Sequence, residues 1–100
     1  MRLGLTIGTV TLVQAHPTLL GGVLRVVVPL SAGDLAHGDG KAEPLVAWDD
    51  LGAGDGQIVA FSEGGEAAQP FHPAKKPIDA YVAAIIDRLD VPASQPARQA

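Results

Sequence analysis

Apolar residues alternate with polar ones from the second residue of the chain. Leu3, Leu5 and Ile7 share one face and Thr6 lies on the other, so residues 2–13 read as a half-buried strand. After Gly8 the apolar phase moves to Val10 and Leu12. A glycine at a phase shift predicts a β-bulge and the sharp bend that a small barrel needs. His16-Pro17 begins a turn. Residues 22–30 read as a second strand, with Leu24, Val26, Val28 and Leu30 on one face. Val27 on the opposite face says that this face is also partly covered. Pro29 belongs at an edge or near the strand's end, because it cannot donate to a ladder. Residues 31–43 read as a loop rich in Gly and Asp, 45–49 as a short strand, 50–56 as a tight glycine turn and 57–62 as a fourth strand. A long polar loop follows over residues 63–76.

The last element has two readings. Ile78, Tyr81, Val82, Ile85, Ile86 and Leu89 fall at helical spacing, and Pro77 suits a first helical turn. Val82, Ile85 and Ile86 are β-branched, so a helical turn at 77–81 followed by a strand at 82–90 fits equally well. Residues 91–100 are a polar tail containing two prolines, expected to be mobile. Short strands punctuated by Gly and Pro in so short a chain predict a single small β-barrel. The start of the chain has the faint outline of a signal peptide, but one Arg is a weak basic region and the threonines interrupt the apolar run. No apolar run reaches the ~20 residues of a membrane span.

Composition narrows the chemistry. The 100 residues leave room for one core, and 47% are apolar, as in a globular chain. The only aromatics are Trp48, Phe61, Phe71 and Tyr81, so the core must rely on aliphatic residues. A net charge of −4 disfavours nucleic acid. With no cysteine, disulfides, thiolate metal sites and Cys nucleophiles are excluded. The 52–56 stretch, Gly52-Ala53-Gly54-Asp55-Gly56, lacks the Lys and the following helix of a phosphate loop and reads as a turn needing φ > 0. Asp49, Asp50 and Asp55 do not match a calcium loop. His16, His37 and His72 are scattered, and no Ser or Thr sits in a nucleophile elbow. The residues assemble no catalytic constellation, and no metal or cofactor is expected.

The punctuation as a whole is more specific. Gly8-Thr9-Val10, Leu19-x-Gly21, Asp49-x-Leu51-Gly52-Ala53-Gly54-x-Gly56, Gly64 with Ala67, Pro77-Ile78-Asp79-Ala80 and Ile85-Ile86-Asp87 follow one another in an order and spacing that resembles the EutN/CcmL family of bacterial microcompartment shell proteins. The resemblance covers residues 1–90, taken as one barrel domain with 91–100 as its tail. It implies an all-β, five-stranded OB-like barrel with one short helical turn, closing into a cyclic homopentamer. It also favours the turn-then-strand reading of the last element. The implied role is structural: capping the vertices of a carboxysome or metabolosome in the bacterial cytoplasm, beside hexameric shell proteins, with no enzymatic activity. An OB-fold nucleic-acid-binding module is the alternative.

The resemblance also suggests where subunits meet. A ring has an axis, and Gly64, Gly65, Glu66 and Ala67 are candidates to face it, because small residues let five backbones approach; Gly52-Ala53-Gly54 is the second choice. Asp49, Gly52, Ala53, Gly54, Gly56, Pro77, Asp79 and Asp87 are candidates for structural turns and subunit contacts, with Asp79 expected to hold backbone amides or a neighbouring subunit. The chain departs from the family pattern at Ala15 and Val23, where lysines are usual, at Gln57, where Glu is usual, and at Ala68, where an Arg is missing. Glu66 is an addition, and five of them at an axis would converge as an acidic ring.

Overall fold

The computed structural model describes residues 1–37, 40–72 and 76–90. Five strands, β1 Arg2–Val10, β2 Leu24–Pro29, β3 Leu45–Trp48, β4 Ile58–Glu63 and β5 Ala80–Ile85, close into a barrel in the order β1-β2-β3-β5-β4. All pairings are antiparallel except β3 with β5, which meet in parallel at Trp48 and Tyr81. A short helix, α1 Ala32–His37, lies between β2 and β3. Three single 3-10 turns, at Pro17–Leu19, Gly64–Glu66 and Gln69–Phe71, shape the remaining loops.

The bulge falls where the phase shift placed it. Thr6 pairs with Val27 and Gly8 with Val26, so Ile7 is the extra residue. The faces of β1, however, are inverted relative to the alternation. Gly4 and Thr6 are buried, Leu3 and Leu5 are half-buried, and Ile7 is 49% exposed. The same inversion continues in β2, where Val27 is wholly buried while Leu24 and Val26 are half-buried.

The reason lies in the volume of a five-stranded barrel. Phe61, Val27, Val59 and Val82 already fill the interior, with Ala47, Ala53 and Ala80 between them. A Cβ at Gly4 would collide with Val27 Cγ1 and stand 2.9 Å from Phe61 Cε1. The inward side of β1 therefore takes a glycine and a threonine, and the larger aliphatics point out of the barrel. Burying Thr6 requires its hydroxyl to be satisfied. It donates to the Gly54 carbonyl at 2.5 Å and accepts from Gln57 N–H at 3.0 Å.

Other expectations need correction. The first strand ends at Val10, not at residue 13. The loop over 31–43 contains α1, which Ser31 and Asp34 cap reciprocally through each other's backbone N–H. The helical turn expected at 77–81 does not form. Ala80 already pairs with Glu63 and Tyr81 with Ser62, so β4 claims this segment as strand, and β5 ends at Ile85 rather than at residue 90. The tail over 91–100 lies outside the described residues.

Candidate assembly surface and the turns that shape it

The β3–β4 connection is fixed by a buried carboxylate. Asp49 follows directly on β3, and its oxygens accept from the backbone N–H of Leu51 (2.8 Å), Gly52 (3.1 Å) and Ala53 (2.8 Å). Arg25 Nε donates to the same carboxylate at 3.1 Å, and Arg25 Nη1 reaches Thr9 Oγ1. Three strands or their ends, β1, β2 and β3, are thus tied at one end of the barrel. Gly52 and Gly56 both sit at φ +80°, the left-handed region that disfavours other residues. Gly54 does not have positive φ, and a Cβ there would meet nothing within 4 Å. The conformational demand therefore falls on the first and last glycines of the 52–56 turn and not on its middle one. Ala53 is fully buried in the core. Gln57 fixes the turn from the other side, its side-chain oxygen accepting from Gly54 N–H at 2.9 Å.

The second candidate loop is anchored through its backbone. Gly64, at φ +77°, donates its N–H to the Asp79 carbonyl at 2.7 Å, and Ala67 N–H closes the turn onto the Gly64 carbonyl. Ala67 itself is fully buried, so its methyl group points into the subunit, whereas Gly64 and Gly65 are exposed. The side chain of Glu66 lies outside the described residues. Asp79 takes part through its carbonyl; its side chain is exposed and makes no hydrogen bond among the described residues. Pro77 and Asp87 are also exposed.

Sequence reasoning missed a polar-aromatic clasp on the outside of the barrel. Trp48, Phe71 and Tyr81 stack edge to face, with centroids 5.6 and 5.4 Å apart. Lys76 Nζ lies 4.4 Å from the Trp48 ring centroid and 5.0 Å from that of Phe71, and donates to the Thr18 carbonyl. Gly22 lies against the Trp48 ring so closely that a Cβ would collide with it. The only signal in the sequence was the glycine and the three aromatics themselves, which are far apart along the chain.

Among the described residues, what remains open is the stretch of the outward face of β1, β2 and β3 that neither the Trp48 clasp nor Gly40 covers. Gly8, Val26 and Val46 are consecutive partners across the three strands, and Val10 and Leu24 pair one step along. Val46 is 44% exposed and Ile7 flanks Gly8. At the hairpin end this face runs into a groove lined by Val10, Leu12, Ala15, Leu19, Leu20 and Val23. No charged side chain lines the groove. Among the described residues no group of three or more His, Asp or Glu side chains could hold a metal ion. No helix among the described residues is long and apolar enough to cross a membrane.

A small closed barrel with satisfied polar turns and an uncovered apolar flank is the design of an assembling structural subunit. The chain belongs to the EutN/CcmL family: the model for "Ethanolamine utilisation protein EutN/carboxysome" matches residues 1–87. It is 34% identical over 89 residues to the bacterial microcompartment shell vertex protein PduN of Salmonella typhimurium, covering 89% of this chain and 98% of that one. It is 36% identical over 95 residues to the carboxysome shell vertex protein CcmL of Gloeobacter violaceus, covering 91% and 87%. Among solved structures, the pentameric microcompartment shell protein GrpN of Rhodospirillum rubrum superposes with a TM-score of 0.75 at 34% identity, over 90% of this chain and 98% of that one. Gloeobacter violaceus CcmL superposes with a TM-score of 0.79 at 33% identity, over 91% and 90%.

Proposed function

We propose that this chain is a structural vertex protein of a bacterial microcompartment shell: five copies close into a ring, and the ring caps a vertex. The observation that carries the reading is the likeness to named vertex proteins over the whole barrel, nearly end to end in both chains. The physical argument agrees with it. Flat sheets of six-fold tiles cannot close, and five-fold tiles supply the missing curvature. A heterologous joint that closes after five copies makes such a tile. Its outer edges then dock against hexameric shell proteins in the bacterial cytoplasm. The role asks for shape and complementary surfaces, with no cofactor and no chemistry.

The same reading gives the ring an axis. The Gly64–Glu66 turn is the candidate to face it, because Gly64 and Gly65 present no bulky side chain there. Five Glu66 carboxylates brought together would attract cations and repel anionic metabolites. A nucleic-acid role has little support. Trp48, Phe71 and Tyr81 are engaged with one another and Phe61 is inside the barrel, so no aromatic is left as a stacking platform.

The test is reconstitution with hexameric shell proteins. With this chain present, electron microscopy should show closed polyhedral shells; without it, open sheets or tubes. Identical particles in both preparations would contradict a vertex role.

A further inference from the structure

We infer that Lys76 is a charge-operated latch: its ammonium group holds the loop between β1 and β2 on the barrel, and removing that charge frees the loop while the barrel stays folded. The inference goes beyond the vertex reading and does not depend on it, because every residue involved belongs to one chain.

The loop is nearly self-contained. Residues 11–17 are exposed. His16 Nδ1 accepts from Thr18 N–H, Leu19 N–H donates to the His16 carbonyl, Leu20 N–H to the Pro17 carbonyl and Gly22 N–H to the Leu19 carbonyl. These bonds shape the turn but tie it to nothing beyond itself. Among the described residues, one hydrogen bond joins residues 16–22 to a distant part of the chain, from Lys76 Nζ to the Thr18 carbonyl. The accompanying packing contact is Gly22 against the Trp48 ring. A segment with so few ties opens locally well before the barrel does.

The receiving side is fixed from the barrel. Trp48 and Tyr81 are register partners of β3 and β5. Trp48 Nε1 donates to Asp50 Oδ1 at 2.7 Å, and Phe71 stands edge to face with both Trp48 and Tyr81. The two rings that face Lys76 are therefore held in place by contacts that do not involve the loop.

The grip depends on charge. Among the described residues no carboxylate pairs with Lys76. Its partners are the faces of Trp48 and Phe71 and the Thr18 carbonyl oxygen, all of which attract a cation. An apolar side chain of similar length would still pack on Trp48 but would leave the Thr18 carbonyl unheld. The apolar groove depends on the same grip. It is lined by Leu19, Leu20 and Gly22 of the loop and by Thr9, Val10 and Leu24 of the strands, so freeing the loop removes part of its lining.

The experiment compares the full chain with Lys76→Met, which keeps the apolar stem, and Lys76→Arg, which keeps the charge and the donors. Amide hydrogen exchange is followed at one protein concentration. In Lys76→Met the Leu20 and Gly22 N–H groups should exchange about tenfold or more faster than in the wild type. Phe61 in β4 and Val82 in β5 should keep their protection, and Lys76→Arg should restore that of the loop. Trp48 is the only tryptophan of the chain and gives an independent readout. Acrylamide should quench it more steeply in Lys76→Met than in the wild type or Lys76→Arg. Unchanged exchange at Leu20 and Gly22, an equal rise in the loop and the strands, unchanged quenching of Trp48, or no recovery with Lys76→Arg each overturns the latch. Should Lys76→Met not fold, Lys76→Gln is measured in the same way. Loss of the fold in both would make Lys76 a support of the whole barrel and overturns the latch as well.

Discussion

Arg25 and Asp49 meet 3.1 Å apart at one end of the barrel, with the Asp49 carboxylate fully buried and also holding three backbone N–H groups. Removing that carboxylate strands four donors at once. Asp49→Ala is expected to cost about 1–3 kcal/mol, because a part-buried cation and several backbone amides lose their partner together. Asp49→Asn keeps one acceptor oxygen and should cost less. Urea unfolding at a fixed protein concentration measures both, and fixing the concentration matters because assembly itself adds to stability.

The glycines of the 52–56 turn are not equivalent. Gly52→Ala and Gly56→Ala place a side chain at φ +80° and should each destabilise by about 1 kcal/mol. Gly54→Ala meets open space at ordinary φ and should leave the melting temperature close to wild type. Equal effects at all three positions would contradict this division.

Gly4 is required by volume, not by φ. Gly4→Ala forces a methyl group into Val27 and Phe61 and should cost about 1–3 kcal/mol. Combining it with Val27→Ala should recover part of the loss attributable to the clash, so the two changes will be non-additive in a double-mutant cycle. Strict additivity would mean that the two side chains do not compete for the same space.

The cap of α1 gives a pH dependence of known sign. The Ser31 backbone N–H beside Asp34 holds its carboxyl below the ordinary value of 3.8. A carboxyl whose folded pKa is lowered contributes its stability above the ordinary pKa and loses it as pH falls through the folded value. Amide protection in α1 should therefore persist down to about pH 4 and fade below it. Asp34→Ala should abolish this acid step, with protection in α1 already low at neutral pH.

Local patterns and the interior of the barrel were legible to different degrees. The bulge at Gly8, the end of β2 at Pro29 and the 52–56 turn each announced themselves through one residue with a strong backbone preference. The family pattern over residues 1–90 foretold the barrel. The faces of β1 were misread, because alternation shows that two faces differ but not which one is inside. That is decided by how much room Phe61 leaves opposite Gly4. The last strand was half-read, since β-branched residues at helical spacing are settled only by the free edge of β4. Trp48 and Lys76 belong to a clasp between distant segments, which no local pattern encodes. The Asp49 turn was found as a motif, but its partner Arg25 was visible only once β2 and β3 were side by side.

The central claim is that this chain builds a five-membered ring, and its mass in solution tests that most directly. Native mass spectrometry at micromolar concentration should show a dominant species at five times the 10.2 kDa chain mass. A dominant monomer or dimer, or a ladder of sizes with no preferred closure, would contradict the account.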